Sequence, residues 1–125
     1  MHKSQLAGFI IDCEGDDLDA AACFWGGALG YEAKPLTGPD EDEYRGLDTG
    51  ANGIHIEVQR VDHPSRVHLD IETDDVEAEV QRLEALGAKR LRQVKTWWVM
   101  EAPTGHRFCV VRVQHDSFGS TATQW

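Results

Sequence analysis

Ionisable side chains alternate with apolar ones in several short segments of the chain. In such segments a period of two puts the ionisable residues on one face of a strand and leaves the apolar face to be covered by a helix. An imidazole beside carboxylates on that polar face can act as a general base or bind a metal ion. The polar set comprises Asp12, His55, Glu57, His68, Asp70, Arg107 and Cys109. The alternative is a solvated outer sheet face with salt bridges.

Within this set we assign the catalytic roles to His68 and Glu57. His68 shares its strand face with Asp70, whose carboxylate can orient the imidazole for acid–base chemistry. Glu57 can serve as a base, as a metal ligand or as a salt-bridge partner of Arg107. The rest of the set is expected to contact a ligand, although a buried cysteine such as Cys109 is more often inert.

Two adjacent tryptophans complete the predicted ligand site. Trp97 and Trp98 follow one another in a strand, so one ring must point to the helix layer and the other to the polar face. A ring on the polar face would suit a flat apolar or aromatic ligand. Two core tryptophans are the alternative.

An internal repeat organises the chain around these residues. Residues 10–20 and 68–78 align with five identities, and each segment then enters a helical pattern that closes on Leu-Gly. The identical residues are Asp12, Glu14, Asp16, Asp17 and Ala20, matched by Asp70, Glu72, Asp74, Asp75 and Ala78. The repeat therefore predicts two similar modules, each the size of one supersecondary unit.

Each module is predicted to be a strand, a helix and then further strands. Asp17 and Asp75 can cap the two helices, and Gly30 and Gly87 can end them. In module one, about residues 6–61, the stretch 34–43 is polar and carries two prolines. Module two spans about residues 66–114, and residues 115–125 form a polar tail without periodicity. We expect a single α+β domain, residues 1–125, with a curved mixed-sheet cup made of two tandem βαβββ modules.

Composition excludes several classes of protein. The formal net charge of -10 argues against nucleic acid as a partner, because binding phosphates requires a basic face. No apolar run approaches the roughly 20 residues that span a membrane. The three cysteines are odd in number and form no Cys-x-x-Cys pair, which favours a reducing compartment. We therefore expect a cytoplasmic protein with a small-molecule ligand.

The paired modules resemble the vicinal oxygen chelate superfamily, which includes glyoxalase I, bleomycin-resistance proteins and extradiol dioxygenases. The similarity is strongest to its glyoxalase-like domains and covers roughly residues 6–114. It is carried by Phe24-Trp25 and Leu29-Gly30, by Val58–Val61 with Arg66–Asp70, and by Trp98–Met100 with Pro103, Gly105 and Phe108–Val110.

The resemblance also implies where a metal would bind. Its metal-binding members take one ligand from the first and last strand of each module, which here gives Ile10, Glu57, His68 and Cys109. Glu57 and His68 match the usual residues, but Ile10 cannot bind a metal and Cys109 stands in place of a glutamate. Asp12, two residues further on, could substitute for Ile10. Because this set is incomplete, we expect no resident cofactor, with nickel, zinc, manganese or iron as the alternative.

Three functions remain open at this point. The chain could be a lyase, isomerase or dioxygenase that acts on a small oxygenated or aromatic molecule with Glu57 and His68. It could instead be a binding protein that sequesters a drug, as bleomycin-resistance proteins do. It could also be a structural or regulatory dimer without a working site. The resemblance implies a homodimer in each case.

Overall fold

The structure is a computed structural model and describes residues 1–35, 42–51 and 53–125. In the described residues the elements are β1 (Lys3–Glu14), α1 (Leu18–Leu29), β2 (Glu32–Pro35), β3 (Tyr44–Asp48), β4 (His55–Val61), β5 (Arg66–Thr73), α2 (Val76–Ala85), β6 (Lys89–Val94), β7 (Trp97–Glu101), β8 (Arg107–Arg112), α3 (Phe118–Thr121) and β9 (Thr123–Gln124). This order confirms the α+β class and the two tandem βαβββ modules. No helix in the described part of the chain is long and apolar enough to cross a membrane.

The chain divides into two compact units, and β1 contributes residues to both. Gly8–Val67 form the first unit, whereas Met1–Ala7 together with His68–Trp125 form the second. The first unit holds most of module one and the second holds most of module two. The grouping of both modules into a single domain stays a prediction.

In the first unit the strands follow the order β2-β3-β4-β1. β1 and β4 are parallel, and the other neighbours are antiparallel. Leu18 of α1 packs on Leu47 and Val58, with Trp25 and Ile56 at the margin of this core. The polar stretch 34–43 begins inside a strand that the sequence did not predict, β2. Its residues 36–41 lie outside the described part of the chain.

In the second unit the strands follow the order β5-β8-β7-β6. β5 and β8 are parallel, and β7 is antiparallel to both of its neighbours. Val80 and Leu83 of α2 pack on Met100, Phe108 and Val110. The helix layer therefore covers the apolar face that alternation predicts.

Leu69 departs from the predicted pattern. Its register partner is Phe108, which puts it on the helix side as expected, yet it is 43% exposed. Ile71, the next residue on that face, packs against the core under α2. Leu69 lies two residues before it on β5 and is not part of that core. Alternation predicts which face a side chain takes, but not how far the covering helix reaches.

The two module helices, α1 and α2, begin and end where the sequence predicts. The Asp17 carboxylate accepts a hydrogen bond from the Ala20 amide at 3.0 Å, and Asp75 accepts one from Ala78 at the same distance. These bonds satisfy amide groups that the first helical turn leaves unpaired. Gly30 ends α1 with φ at 79°, a conformation that glycine adopts without steric cost.

The C-terminal segment is ordered against β1 and α2, although the sequence predicted a tail without periodicity. β9 pairs antiparallel with Lys3 and Ser4 of β1. The Trp125 indole donates a hydrogen bond to Ser4 Oγ at 2.8 Å, and the Arg82 guanidinium lies 3.8 Å from the centre of its ring. A two-residue strand is too short to show a period, so the pairing of β9 could not be predicted from the sequence pattern.

Glu79 anchors this region from the helix side. Its side chain is fully buried, and Arg82 donates two hydrogen bonds of 2.8 Å to its carboxylate. His2 Nε2 lies 2.8 Å from the same group. Burial alone would raise the pKa of Glu79, but hydrogen bonds from Arg82, His2 and Ser4 outweigh that effect and lower it below the ordinary value. The ionised carboxylate therefore holds the N-terminal residues on α2.

Gly8 marks a very close backbone approach between β1 and β4. It is the register partner of His55, and a Cβ atom added to Gly8 would lie 1.7 Å from the His55 carbonyl oxygen. Gly27 in α1 is a useful contrast, since a Cβ added there meets nothing within 4 Å. The first glycine is required by packing and the second is not.

We predict opposite effects for alanine at these two positions. Gly8→Ala should lower the free energy of unfolding by about 2–3 kcal/mol, because strands must move apart to admit the methyl group. Gly27→Ala should raise it by roughly 0.5–1 kcal/mol, as alanine favours the helix. Urea denaturation followed by circular dichroism measures both changes. A Gly8→Ala protein as stable as the parent would show that the strands do not approach this closely.

Candidate active site

The polar residues of the second unit lie on the sheet face that points away from α2, here called the far face. In the β5–β8 pairing Asp70 is the register partner of Cys109, and in the β8–β7 pairing Cys109 is the partner of Val99. His68 lies two residues before Asp70 and therefore on the same face. Parallel pairing thus brings an imidazole, a carboxylate and a thiol into one patch.

The donor atoms of His68, Asp70 and Cys109 all lie within 4.8 Å of one another. His68 Nε2 is 3.5 Å from Asp70 Oδ1, which is ion-pair distance. The two side chains are only 12% and 14% exposed, and Cys109 is 8% exposed. Among the described residues Asp70 Oδ1 is buried without a hydrogen-bond partner. A buried carboxylate oxygen of this kind normally has a donor or a cation, so the trio suits a polar occupant.

The trio fits a borderline-soft divalent ion better than a hard one. Zinc accepts nitrogen, oxygen and sulfur ligands together, and catalytic zinc sites use three protein ligands with one open position. Magnesium and calcium prefer oxygen ligands alone. A non-haem iron site of the dioxygenase kind uses two histidines and a carboxylate, whereas the trio has a single histidine.

In the first unit the ligand set implied by the resemblance lacks one donor. Ile10 is the register partner of Glu57, so the position beside this carboxylate carries an aliphatic side chain. Asp12 is paired with Gln59 instead, is almost fully buried, and lies 3.5 Å from Arg66 Nε. If Asp12 substitutes for Ile10, as predicted, its carboxylate must extend two residues along the strands toward Glu57.

Glu57 has its nearest polar neighbour in its own strand. The His55 Nε2 atom and Glu57 Oε1 are 2.7 Å apart, and the two side chains are 31% and 16% exposed. Arg107, considered above as a salt-bridge partner of Glu57, has its guanidinium Nε 3.6 Å from Glu101 in the adjacent strand. The described contacts thus place the predicted site residues in two groups, His55 with Glu57 and His68 with Asp70 and Cys109.

The two tryptophans take opposite faces of β7, as predicted. Trp98 is the register partner of Val110, and it packs against the core under α2 with Arg90 5.1 Å from its ring centre. Trp97 therefore belongs to the far face, where Lys95 Nζ lies 6.0 Å from its ring centre. Only Trp97 shares a face with His68 and Asp70.

Sequence reasoning missed a second carboxylate–imidazole pair on the far face. Glu72 follows Asp70 by two residues and is fully buried. It accepts hydrogen bonds from the backbone amides of Gln114 and His115, both at 3.1 Å, and its other carboxylate oxygen contacts the His115 imidazole. The repeat identity between Glu14 and Glu72 was a signal for Glu72. His115 lies beyond the repeat, where no pattern indicated a role.

Comparison of the fold with solved structures defines its class. A hypothetical protein from Bacillus halodurans C-125 matches with a TM-score of 0.63 at 11% identity, over 90% of this chain and 96% of that one. Methylmalonyl-CoA epimerase from Mycobacterium tuberculosis matches with a TM-score of 0.60 at 15% identity, over 87% and 89%. The Streptomyces coelicolor methylmalonyl-CoA epimerase in complex with 2-nitronate-propionyl-CoA matches with a TM-score of 0.56 at 17% identity, over 88% and 98%.

At these identities the likeness shows the fold alone. The family model of the glyoxalase-like domain matches residues 8–111. The chain therefore belongs to the glyoxalase-like domain family, and with it to the vicinal oxygen chelate superfamily, as the sequence resemblance predicted. A search of curated proteins finds no match.

Proposed function

We propose that the chain is an isomerase- or lyase-type enzyme that moves a proton on a small oxygenated molecule at the far face of the second unit. The observation that carries this proposal is the trio of His68, Asp70 and Cys109, with donor atoms within 4.8 Å of one another on a nearly buried patch. His68 is the general base and acid, and Asp70 orients its imidazole and stabilises the protonated form.

The geometry favours proton transfer over the other open functions. A single histidine with one carboxylate matches acid–base chemistry at a carbon next to a carbonyl group, which needs one well-placed base. The dioxygenase alternative is weaker, because its iron site requires a second histidine. Several of the fold neighbours are methylmalonyl-CoA epimerases, so a CoA thioester is a reasonable first probe.

We predict that the protein exchanges the α-proton of methylmalonyl-CoA with solvent. In D₂O the parent should incorporate deuterium, and His68→Gln should slow this at least about 100-fold, because general-base catalysis contributes 10²–10⁴. Asp70→Asn should slow it less. Proton NMR of the recovered thioester measures the exchange.

His63→Gln is the matched control for this experiment. His63 is half-buried in the turn between the modules, where its ring contacts the Pro64 carbonyl and Arg66, and its loss should leave exchange unchanged. A parent that exchanges nothing would count against proton transfer on this thioester. Binding of the thioester without exchange would then favour the alternative of a sequestering protein of the bleomycin-resistance kind.

In the alternative to acid–base catalysis by His68, the same trio would bind a divalent metal, and His68 would then be a ligand and not the base. A bound zinc-like ion would polarise a substrate carbonyl oxygen and so acidify the neighbouring carbon. His68, Asp70 and Cys109 would hold it. The remaining far-face residues, Trp97 and Arg107, would contact the substrate. For Glu57, Asp12 and His55 of the first unit, the site roles that the sequence indicates stay predictions.

We predict that Co²⁺, used as a spectroscopic substitute for zinc, binds with about one ion per chain. A thiolate ligand gives an intense charge-transfer band in the near ultraviolet, which should disappear in Cys109→Ala. Cys23→Ala is the control, since Cys23 is an exposed residue of α1. Absorbance titration with Co²⁺ measures both. Absence of the band in the parent would leave His68 and Asp70 to act without a metal.

We also propose that the chain works as a cytoplasmic homodimer. All three cysteines are free thiols, which supports a reducing compartment. The outer side of α1 supports self-association, because Phe24 is 64% exposed beside the exposed small residues Ala20, Gly27 and Ala28. In a chain of net charge -10, two copies repel least where such an uncharged surface meets its own copy.

We predict that the parent elutes as a dimer of the 13.9 kDa chain. Phe24→Ser should shift it toward the monomer, because the largest apolar group of the proposed interface is lost. Light scattering after size exclusion, at several concentrations, gives the mass. Leu86→Ser removes a similarly exposed side chain, 67% exposed at the end of α2, and should leave the dimer intact. A monomeric parent would contradict the proposal.

A further inference from the structure

The far face extends beyond the candidate active site, across β8 and β7 to the last strand of this order, β6. One row of register partners crosses all four strands and contains, in order, Asp70, Cys109, Val99 and Arg92. Register partners in neighbouring strands point to the same side of a sheet, so these four side chains share the far face. The carboxylate and the thiol of the trio thus lie at one end of the row, and a guanidinium group lies at the other.

The other cationic groups near this row have acidic or aromatic neighbours. Arg107 has its Nε atom 3.6 Å from Glu101, and Lys89 is the register partner of the same glutamate. The Lys95 Nζ atom lies 6.0 Å from the centre of the Trp97 ring. Each of these cations therefore has a group of the protein that compensates for or covers its charge.

Arg92 has different surroundings. Its side chain is exposed, its register partner Val99 is apolar, and it makes no hydrogen bond or ion pair with the residues that the structure describes. Arg112 is also exposed and also lacks such a partner among the described residues. However, its register partner Thr73 lies three residues from Asp70 along β5, which places Arg112 on the helix side. Arg92 is therefore the arginine whose donors are available to a ligand of the far face.

The spacing along the row matches the length of a small molecule. Neighbouring strands lie roughly 4.8 Å apart, so the Cα atoms of Arg92 and Cys109 are separated by about 10 Å. The arginine side chain spans part of this gap, and the rest lies over Val99, which is half-buried. Trp97 precedes Val99 by two residues and shares its face. An apolar surface between two polar ends is the usual lining of a small-molecule site.

We propose that the substrate of the far face is a short keto acid, with its carbonyl group at the trio and its carboxylate on Arg92. The planar guanidinium donates two parallel hydrogen bonds to the carboxylate, a geometry that a lysine cannot provide. The few carbon atoms between the two polar groups pack on Val99. This inference rests on the function proposed above for the same face, and it adds the class of molecule that the site selects.

Levulinate is a suitable probe, because a short methylene chain separates its ketone from its carboxylate, and methyl levulinate is its neutral counterpart. Both are titrated into the ¹⁵N-labelled full chain and followed by two-dimensional NMR. Levulinate should shift the indole signal of Trp97 on the far face and leave that of Trp98 on the helix side unchanged. Methyl levulinate should bind at least about tenfold more weakly, because it lacks the hydrogen bonds of a charged carboxylate. Equal affinities of the two probes would overturn the proposal.

Matched arginine substitutions locate the carboxylate. Arg92→Gln should weaken levulinate binding about tenfold. Arg92→Lys should have an intermediate affinity, because an ammonium group keeps the charge but not the planar pair of donors. Arg112→Gln is the control, since it removes the same charge from an exposed arginine on the helix side and should keep the parental affinity.

Two outcomes of these substitutions contradict the proposal. An equal loss of affinity in Arg92→Gln and Arg112→Gln would trace the effect to the net charge of the chain and not to a site. Parental affinity in Arg92→Gln would leave this arginine with the other role of exposed charges on an edge strand, which is to hinder pairing with other chains.

Exchange of the protons next to the ketone separates this inference from the proposed function. In D₂O, at equal concentrations below saturation, the parent should exchange these protons of levulinate about tenfold faster than those of methyl levulinate. Binding that depends on Arg92 but leads to no exchange would keep the keto-acid site and count against proton transfer. Equal exchange of both probes, unaffected by Arg92→Gln, would keep proton transfer and overturn the carboxylate site.

Discussion

The parallel pairing of β5 with β8 is the constraint on which the candidate active site depends. It makes Asp70 and Cys109 direct neighbours and sets His68 two residues away on the same face. Side chains alternate with a period of two, so a slip of one residue would turn the carboxylate or the thiol to the other side. The apolar partners Ile71 and Val110 prevent that slip, since it would expose them to water while burying charged groups.

The same alternation gives the sheet of the second unit two chemically different faces. On the helix side, α2 covers Met100, Phe108 and Val110. On the far face the polar trio lies nearly buried, beside the buried Glu72. Burying these groups costs free energy that only hydrogen bonds, ion pairs or a ligand can offset. Glu72 meets this demand with two backbone amides and an imidazole. Asp70 Oδ1 has the His68 imidazole at 3.5 Å but no hydrogen-bond partner among the described residues.

Much of this arrangement could be predicted from the sequence, because it follows from local periodicity. The repeat gave both modules, both capping aspartates and the shared face of His68, Asp70 and Cys109. Three features could not be predicted from the repeat. β2 and β9 are too short to show a period. The exposure of Leu69 depends on how far α2 extends over the sheet. His115 contacts Glu72 across a separation of 43 residues in the sequence.

The sequence pattern indicates which residues lie on polar faces, but not which of them contact one another. Alternation assigns Glu57 and Arg107 to polar faces, but their neighbours depend on register, which the sequence pattern does not give. In the structure Glu57 meets His55 and Arg107 meets Glu101. A set of ligands taken from four strands can be proposed from the family resemblance, yet Ile10 beside Glu57 shows that this chain departs from it.

The second unit is discontinuous in sequence, and this affects how the protein can be made. Its residues come from Met1–Ala7 and from His68–Trp125, whereas the first unit is one unbroken stretch, Gly8–Val67. During synthesis the first unit leaves the ribosome complete while the opening residues of the second still lack their partners. β9, which pairs with Lys3 and Ser4, is translated among the last residues of the sequence. The unit that carries His68, Asp70 and Cys109 can therefore reach its full set of strand pairings only when translation of these 125 residues is nearly complete.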